Sequence, residues 1–237
     1  LRKIEKSLEN CPCGREHKIN ICALEIGENI TENIGSILRD SGFAGKISIV
    51  WDKNTKRAAE GVDESVRSAG LIPVYTEFDD LRLADMASAE RVENDISREG
   101  SACVLSVGTG SLNDICRITA AKLGIPFAIY ATAPSMDGFA SVMAPITING
   151  FKRTYPAKAP EVIAADTRVL AKSPAVLKAA GLGDLLGKYT AHADWEISTL
   201  TTGEYYCGAI AKLTRDAVDR AVALTRQNDT SSAEYGG

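Results

Sequence analysis

Gly108-Thr109-Gly110-Ser111 stands between an apolar run, Cys103 to Val107, and a stretch with Leu112, Ile115, Ile118 and Ala121 at helical spacing. Strand, glycine turn and helix in that order make an anion site. Glycine lets the backbone approach a phosphate, and the first free N–H groups of the helix point at it. Ser111 is placed to cap the helix and to add a hydroxyl donor. The same pattern also serves as an ordinary strand-to-helix turn, and a lone glycine pair does not decide between the two.

Other residues with chemistry in them are dispersed. Asp52 ends an apolar run, Lys46 to Trp51. A carboxylate at a strand's C-terminal end can accept hydrogen bonds from the ribose of a dinucleotide, or simply cap the next helix. Lys53, Lys56 and Arg57 follow it and can tolerate the extra phosphate of NADP, so NAD and NADP both stay open. Thr132-Ala133-Pro134-Ser135-Met136-Asp137-Gly138-Phe139-Ala140-Ser141 places hydroxyls and a carboxylate just past another strand, although Pro-Ser-Met-Asp-Gly also has plain turn chemistry. Lys152, Arg153 and Lys158 lie in a proline-punctuated segment that suits a flap or a hairpin connection. Cys11, Cys13 and His17 resemble a metal half-site, but C-x-C is tight for zinc and a fourth ligand is missing, which favours a surface turn.

The elements that position these groups alternate. Strands are expected over Ile19–Ala23, Lys46–Trp51, Leu71–Tyr75, Cys103–Val107, Ile125–Tyr130, Ala144–Gly150 and Glu161–Asp166. Helices are expected over Glu28–Ser41, Ala58–Ser68, Leu83–Ile96 and from Leu112. The charged stretch 76–100 covers the sheet and carries no visible chemistry. This is the pattern of a parallel, helix-covered, Rossmann-like sheet. From Ser173-Pro174 the chain reads as helical, with Gly181 as a stop, a longer helix from Gly183 and another from Ala209 to Arg226. A boundary near residue 171 therefore separates an α/β nucleotide-binding domain, 1–171, from the start of an all-α domain, 172–237. The tail after Asn228 reads as disordered.

Composition narrows the classes of function. A net charge of −4 gives no broad basic surface, so nucleic acid is not an expected partner. No run approaches the roughly 20 apolar residues that cross a bilayer. Six cysteines in 237 residues do not suggest a disulfide scaffold. Cys22, Cys103, Cys116 and Cys207 sit in apolar stretches as small hydrophobes, which fits a reducing cytoplasm.

Five segments together carry a resemblance. They are Asp52-Lys-Asn-Thr, Gly108-Thr-Gly-Ser-Leu-Asn-Asp114, Thr132 to Ser141, Tyr155-Pro-Ala-Lys-Ala-Pro160 and Gly181-Leu-Gly-Asp-Leu-Leu-Gly-Lys-Tyr189. In order and spacing they resemble the sn-glycerol-1-phosphate dehydrogenases of bacterial type, within the superfamily of iron-dependent alcohol dehydrogenases and dehydroquinate synthases. The resemblance implies a nucleotide domain, a helical domain and a site in the cleft between them. It implies Asp52 at the adenosine ribose, and Gly110, Ser111, Leu112, Asn113 and Asp114 at the pyrophosphate. Thr132, Ala133, Pro134, Ser135 and Ser141 would line the cofactor. Asp137 and Asp184 would act as catalytic, substrate-facing carboxylates, with Asp184 binding zinc or nickel. The implied reaction is hydride transfer between NAD(P) and the dihydroxyacetone phosphate/sn-glycerol 1-phosphate pair. The expected partners are a small phosphorylated substrate and further copies of the chain, as a dimer or larger.

One departure stands out. The resemblance implies one Asp and two later His around the metal, but this chain holds only His17 and His192. His192 follows Asp184 by eight residues, a rise of roughly 12 Å on one helix, so it is read as structural. The two His ligands are expected beyond Gly237, and the chain as it stands is expected to bind metal at Asp184 weakly. A glycerol dehydrogenase, a cyclase resembling dehydroquinate synthase and a non-catalytic nucleotide-binding module remain open as alternatives.

Overall fold

Eight strands and nine helices form in the computed structural model, which describes residues 1–226. The expected disordered tail lies outside these residues. The strands are β1 (Ala23–Gly27), β2 (Lys46–Asp52), β3 (Ile72–Phe78), β4 (Cys103–Gly108), β5 (Phe127–Ala131), β6 (Met143–Ile148), β7 (Phe151–Pro156) and β8 (Val162–Asp166). Six of them make one parallel sheet in the order β1-β8-β5-β4-β2-β3, and β6 and β7 pair separately as an antiparallel hairpin. Every residue of β4, β5 and β8 is buried. That is why these strands read as unbroken apolar runs: each is covered on both faces.

The covering helices are α1 (Arg2–Ser7), α2 (Ile30–Asp40), α3 (Lys53–Ala58), α4 (Val62–Ser68), α5 (Met86–Glu99), α6 (Gly110–Leu123), α7 (Thr167–Lys172), α8 (Ala175–Thr202) and α9 (Gly208–Arg226). On one face Ile34 and Leu38 of α2 and Val62 and Val66 of α4 pack on Ile47, Ile49 and Leu105. On the other, Val92 and Ile96 of α5 and Leu112, Ile115 and Cys116 of α6 pack on Val50, Val104 and Ile129. A Cβ at Gly35 would stand 2.0 Å from the Ser65 carbonyl oxygen, so α2 and α4 touch backbone to backbone. Among the described residues no helix is long and apolar enough to cross a membrane.

Several boundaries differ from expectation for identifiable reasons. The first strand starts at Ala23, not Ile19, because its partner β8 is preceded by Pro160, which has no N–H to continue the ladder. The expected helix over 58–68 is two helices. Asp52 and Thr55 form a capping box that starts α3 at Lys53, and Gly61 breaks the chain at φ +96°. Asp85 caps α5 through the Ser88 N–H, so that helix starts at Met86. Gly181 is not a stop: α8 runs through it without a break. Cys22 is exposed rather than a core residue.

At the end of β8, Asp166 is fully buried and ties three elements together. It accepts the N–H and the hydroxyl of Thr31 at the start of α2, and the backbone and guanidinium N–H groups of Arg168. Burial pushes its carboxyl up, but the hydrogen bonds from Arg168 and Thr31 outweigh it and hold the pKa down to about 2. A depressed carboxyl stabilises the fold above its unfolded pKa, and that contribution is lost as pH falls. Acid unfolding is therefore expected to deepen from about pH 4 toward 2, near the ordinary and the lowered values. In Asp166→Asn this acid dependence should be shallower, and denaturant titration at neutral pH should show a loss of about 1.5 kcal/mol.

Candidate functional site

Between β2 and β4 the sheet changes direction: β2 leads outward to β3, while β4 leads the other way to β5. A crevice opens at the carboxyl ends of strands at such a point. Gly108 ends β4 there. A Cβ on it would stand 2.4 Å from Leu112 Cδ1, so the glycine lets α6 press against its own strand. Thr109 is the N-cap of α6 and makes no side-chain cap, while Gly110 has nothing within 4 Å of the position a Cβ would take. The helix start is therefore open to a ligand. Ser111 does not cap it. It sits inside the first turn, and its hydroxyl donates to the Arg82 carbonyl.

The loop after β5 is fastened to this turn. Thr132 N–H donates to the Gly108 carbonyl at 3.2 Å, and the Thr109 and Ser135 hydroxyls are 2.5 Å apart. Further along α6, Arg117 is 1% exposed. Its guanidinium donates to Asp114 and to the carbonyls of Gly138, Phe139 and Met143. One buried cation thus holds the loop 138–143 against α6. Burial raises the Asp114 carboxyl to about 6, opposed by the positive charges of Arg117 and Lys152.

The same loop is fastened to α8 on its other side. A Cβ at Gly181 would stand 1.8 Å from the Pro134 carbonyl oxygen. Three residues on, Asp184 Oδ2 accepts the Asp137 N–H at 2.9 Å. One turn further, the Lys188 ammonium pairs with the Asp137 carboxylate. Gly181, Asp184 and Lys188 lie on one helical face, so the Pro-Ser-Met-Asp-Gly loop and the Gly-Asp-Leu-Leu-Gly-Lys helix meet along their length.

These elements enclose a cavity of about 490 Å³. Of the residues expected at the site, Gly110, Ser111, Asp114, Asp137, Ser141 and Asp184 line it. The others do not. Leu112, Asn113 and Ala133 are buried, and Asn113 Oδ1 accepts the Ser106 hydroxyl at 2.7 Å. Thr132, Pro134 and Ser135 form the loop behind it. Asp52 caps α3, with both cap bonds on Oδ1. The hairpin β6–β7 supplies Lys152 and Thr154 to the cavity, while strand alternation turns Arg153 away. Lys158 is engaged by Glu161 and the Ile125 carbonyl. Arg82, from the stretch thought to lack chemistry, also lines the cavity. His192 is buried on α8, and neither ring nitrogen has a protein partner. Among the described residues, no group of three metal-binding side chains forms around Asp184 or His192.

The glycerol-1-phosphate dehydrogenase [NAD(P)+] of Bacillus licheniformis is 36% identical over 248 residues, covering 99% of this chain and 59% of that protein. Its counterpart from Bacillus subtilis is 39% identical over 186 residues, covering 76% of this chain and 46% of that protein. The chain thus spans about half the length of the curated relatives it matches. Among solved structures, glycerol dehydrogenase from Schizosaccharomyces pombe superposes with a TM-score of 0.76 at 17% identity, over 91% of this chain and 55% of that one, which shows a shared fold. Residues 25–174, which hold nearly all of the sheet and the fastened loop after β5, match the model of the iron-containing alcohol dehydrogenases, and the chain belongs to that family.

Proposed function

We propose that this chain is the nucleotide-binding part, with the start of the helical part, of an NAD(P)-dependent and metal-dependent dehydrogenase. It interconverts dihydroxyacetone phosphate and sn-glycerol 1-phosphate. The observation that carries this reading is the convergence of Asp184, Asp137 and the open start of α6 on one cavity. The names of the relatives, glycerol-1-phosphate dehydrogenases, support the substrate. We place the boundary between the two parts near residue 171.

A dinucleotide fits the residues present. With open space at Gly110, a pyrophosphate can reach the first N–H groups of α6. The Asp114 carboxylate beside it is paired with Arg117, so it does not set an uncompensated negative charge against the phosphates. Asp52, at the end of the neighbouring strand, is assigned to the ribose, and the 132–135 loop and Ser141 to the cofactor's flank. Bound NAD(P) supplies the hydride carrier. The protein's part is to position the substrate carbon against it and to exclude water.

A divalent ion is a different matter. Asp184 offers one oxygen where zinc needs three or four ligands, and the described residues do not complete the set. Asp184 is assigned as one ligand, and no step is derived through an ion. Lys152 brings a cation to the cavity, which favours a phosphorylated substrate over glycerol; Arg82 lines it too, with its guanidinium paired to Asp80. The protein is also read as cytoplasmic and as a homo-oligomer.

The test is substrate choice. Oxidation of NADH or NADPH is expected with dihydroxyacetone phosphate and much less with dihydroxyacetone; the reverse preference would overturn the reading. Lys152→Ala is expected to raise KM for the phosphorylated substrate about tenfold with kcat little changed, as the loss of one charge-assisted contact.

A further inference from the structure

The structure brings Cys207, at the start of α9, to Cys11, Cys13 and His17 of the N-terminal segment. Sequence alone favours a plain surface turn for the segment and a small hydrophobe at Cys207; the fold joins them across about 190 residues. We propose that these four side chains form a structural zinc site, separate from the cavity at Asp184, that clips the N-terminal segment to the junction of α8 and α9.

The four side chains stand close enough to share one ion. All four ligand atoms lie within 4.8 Å of one another. Cys11 Sγ and Cys207 Sγ are 3.6 Å apart, His17 Nε2 is 3.6 Å from Cys207 Sγ, and it is 3.2 Å from Cys13 Sγ. Zinc bonds of about 2.3 Å to sulfur and 2.0–2.1 Å to nitrogen give tetrahedral edges of about 3.8 Å for S···S and about 3.6 Å for S···N. A disulfide needs about 2.05 Å, so the cysteines are not bridged. Three thiolates and one imidazole with no open position suit a structural rather than a catalytic ion.

The surroundings are built for the same purpose. Gly14, at φ +75°, folds the chain back so that its N–H reaches the Cys11 carbonyl, which turns Cys11 and Cys13 toward one point. The Tyr205 hydroxyl donates to Cys13 Sγ at 3.1 Å, a contact that stabilises a thiolate. Tyr205 is itself held between the Arg15 guanidinium, 3.6 Å from its ring centre, and the Trp195 indole N–H, which donates to its carbonyl. Elsewhere the segment is held lightly: α1 itself buries no residue, Leu8 just past it is buried, and the Glu5 carboxylate accepts the Ile19 N–H. In such a place metal binding becomes folding energy.

Cobalt(II) replacing zinc reports the ligand type. In the purified, reduced chain a thiolate-to-cobalt charge-transfer band and intense tetrahedral d–d bands are expected, with one equivalent of zinc held by the zinc-loaded protein. Asp184→Asn should leave both unchanged, so this result does not depend on the dehydrogenase reading. Cys13→Ser and Cys207→Ser should lose the zinc and weaken the band, with the circular dichroism of the α/β part kept. His17→Cys, which keeps four ligands, should retain zinc and strengthen the band. Absence of the charge-transfer band in the parent chain, zinc content unaffected by Cys13→Ser, or a native Cys11–Cys207 disulfide found by mass spectrometry would each overturn the proposal.

Discussion

Asp184→Asn is expected to lower kcat/KM for dihydroxyacetone phosphate by about 10²–10³-fold while leaving the dissociation constant for the dinucleotide within a factor of about two, the magnitude seen when one preorganised electrostatic group is removed. The substitution is chosen to separate charge from structure. Asp184 is exposed to the cavity, and its visible contact is the Asp137 N–H at 2.9 Å. An asparagine carbonyl oxygen accepts that same bond, so the loop 134–138 and α8 should stay joined. What is weakened is the anionic ligand that, on the proposed reading, would hold a divalent ion beside the substrate's reacting oxygen, since a neutral amide oxygen binds such an ion less well. The start of α6 is untouched, which is why nucleotide affinity should hold. Steady-state kinetics beside calorimetric titration of NADH would check both halves. Unchanged turnover would remove Asp184 from the chemistry, and parallel loss of nucleotide binding would show that its role is to shape the loop.

Much of this arrangement is legible from residue order, and the parts that are not share a cause. β4, β5 and β8 declare themselves because burial on both faces demands unbroken apolar runs. The glycine turn at 108–110 and the 132–141 loop are visible because sites collect past the carboxyl ends of parallel strands. Groups whose partners are distant are hidden. Arg117 looks like an ordinary helical cation until its acceptors, carbonyls 21, 22 and 26 residues downstream, are folded onto it. Arg82 sits in a charged stretch that resembles mere sheet cover. Cys11, Cys13 and His17 look one ligand short because the missing thiol lies at position 207. Gly181 misleads for another reason. Glycine ends helices through its freedom at positive φ, but it also lets two backbones touch, and sequence does not distinguish the two uses.

That second use makes Gly181→Leu the most informative structural change. A Cβ there would stand 1.8 Å from the Pro134 oxygen and 2.8 Å from the Pro134 carbonyl carbon. Both atoms are backbone, so no rotamer change relieves the clash, and either the loop moves or α8 tilts away. Leucine gains about 1 kcal/mol in helix propensity over glycine. Overpacking against a fixed backbone costs about 3 kcal/mol or more, so the clash wins. The expected net loss of roughly 2 kcal/mol corresponds to a Tm lower by about 4–8 °C for a chain of this size. Gly183→Ala is the matched control: nothing lies within 4 Å of its added Cβ, and in this chain it should raise Tm slightly. The functional consequence follows from helical spacing. Asp184 and Lys188 both reach the loop from the face that Gly181 seats, so displacing that face moves the Asp184 carboxylate away from the Asp137 N–H. Gly181→Leu should therefore lose activity in step with Asp184→Asn even at temperatures where it remains folded, with nucleotide binding at α6 preserved. If thermal melting and kinetics of the two glycine variants matched, the close contact between α8 and the Pro134 carbonyl would not be what positions Asp184.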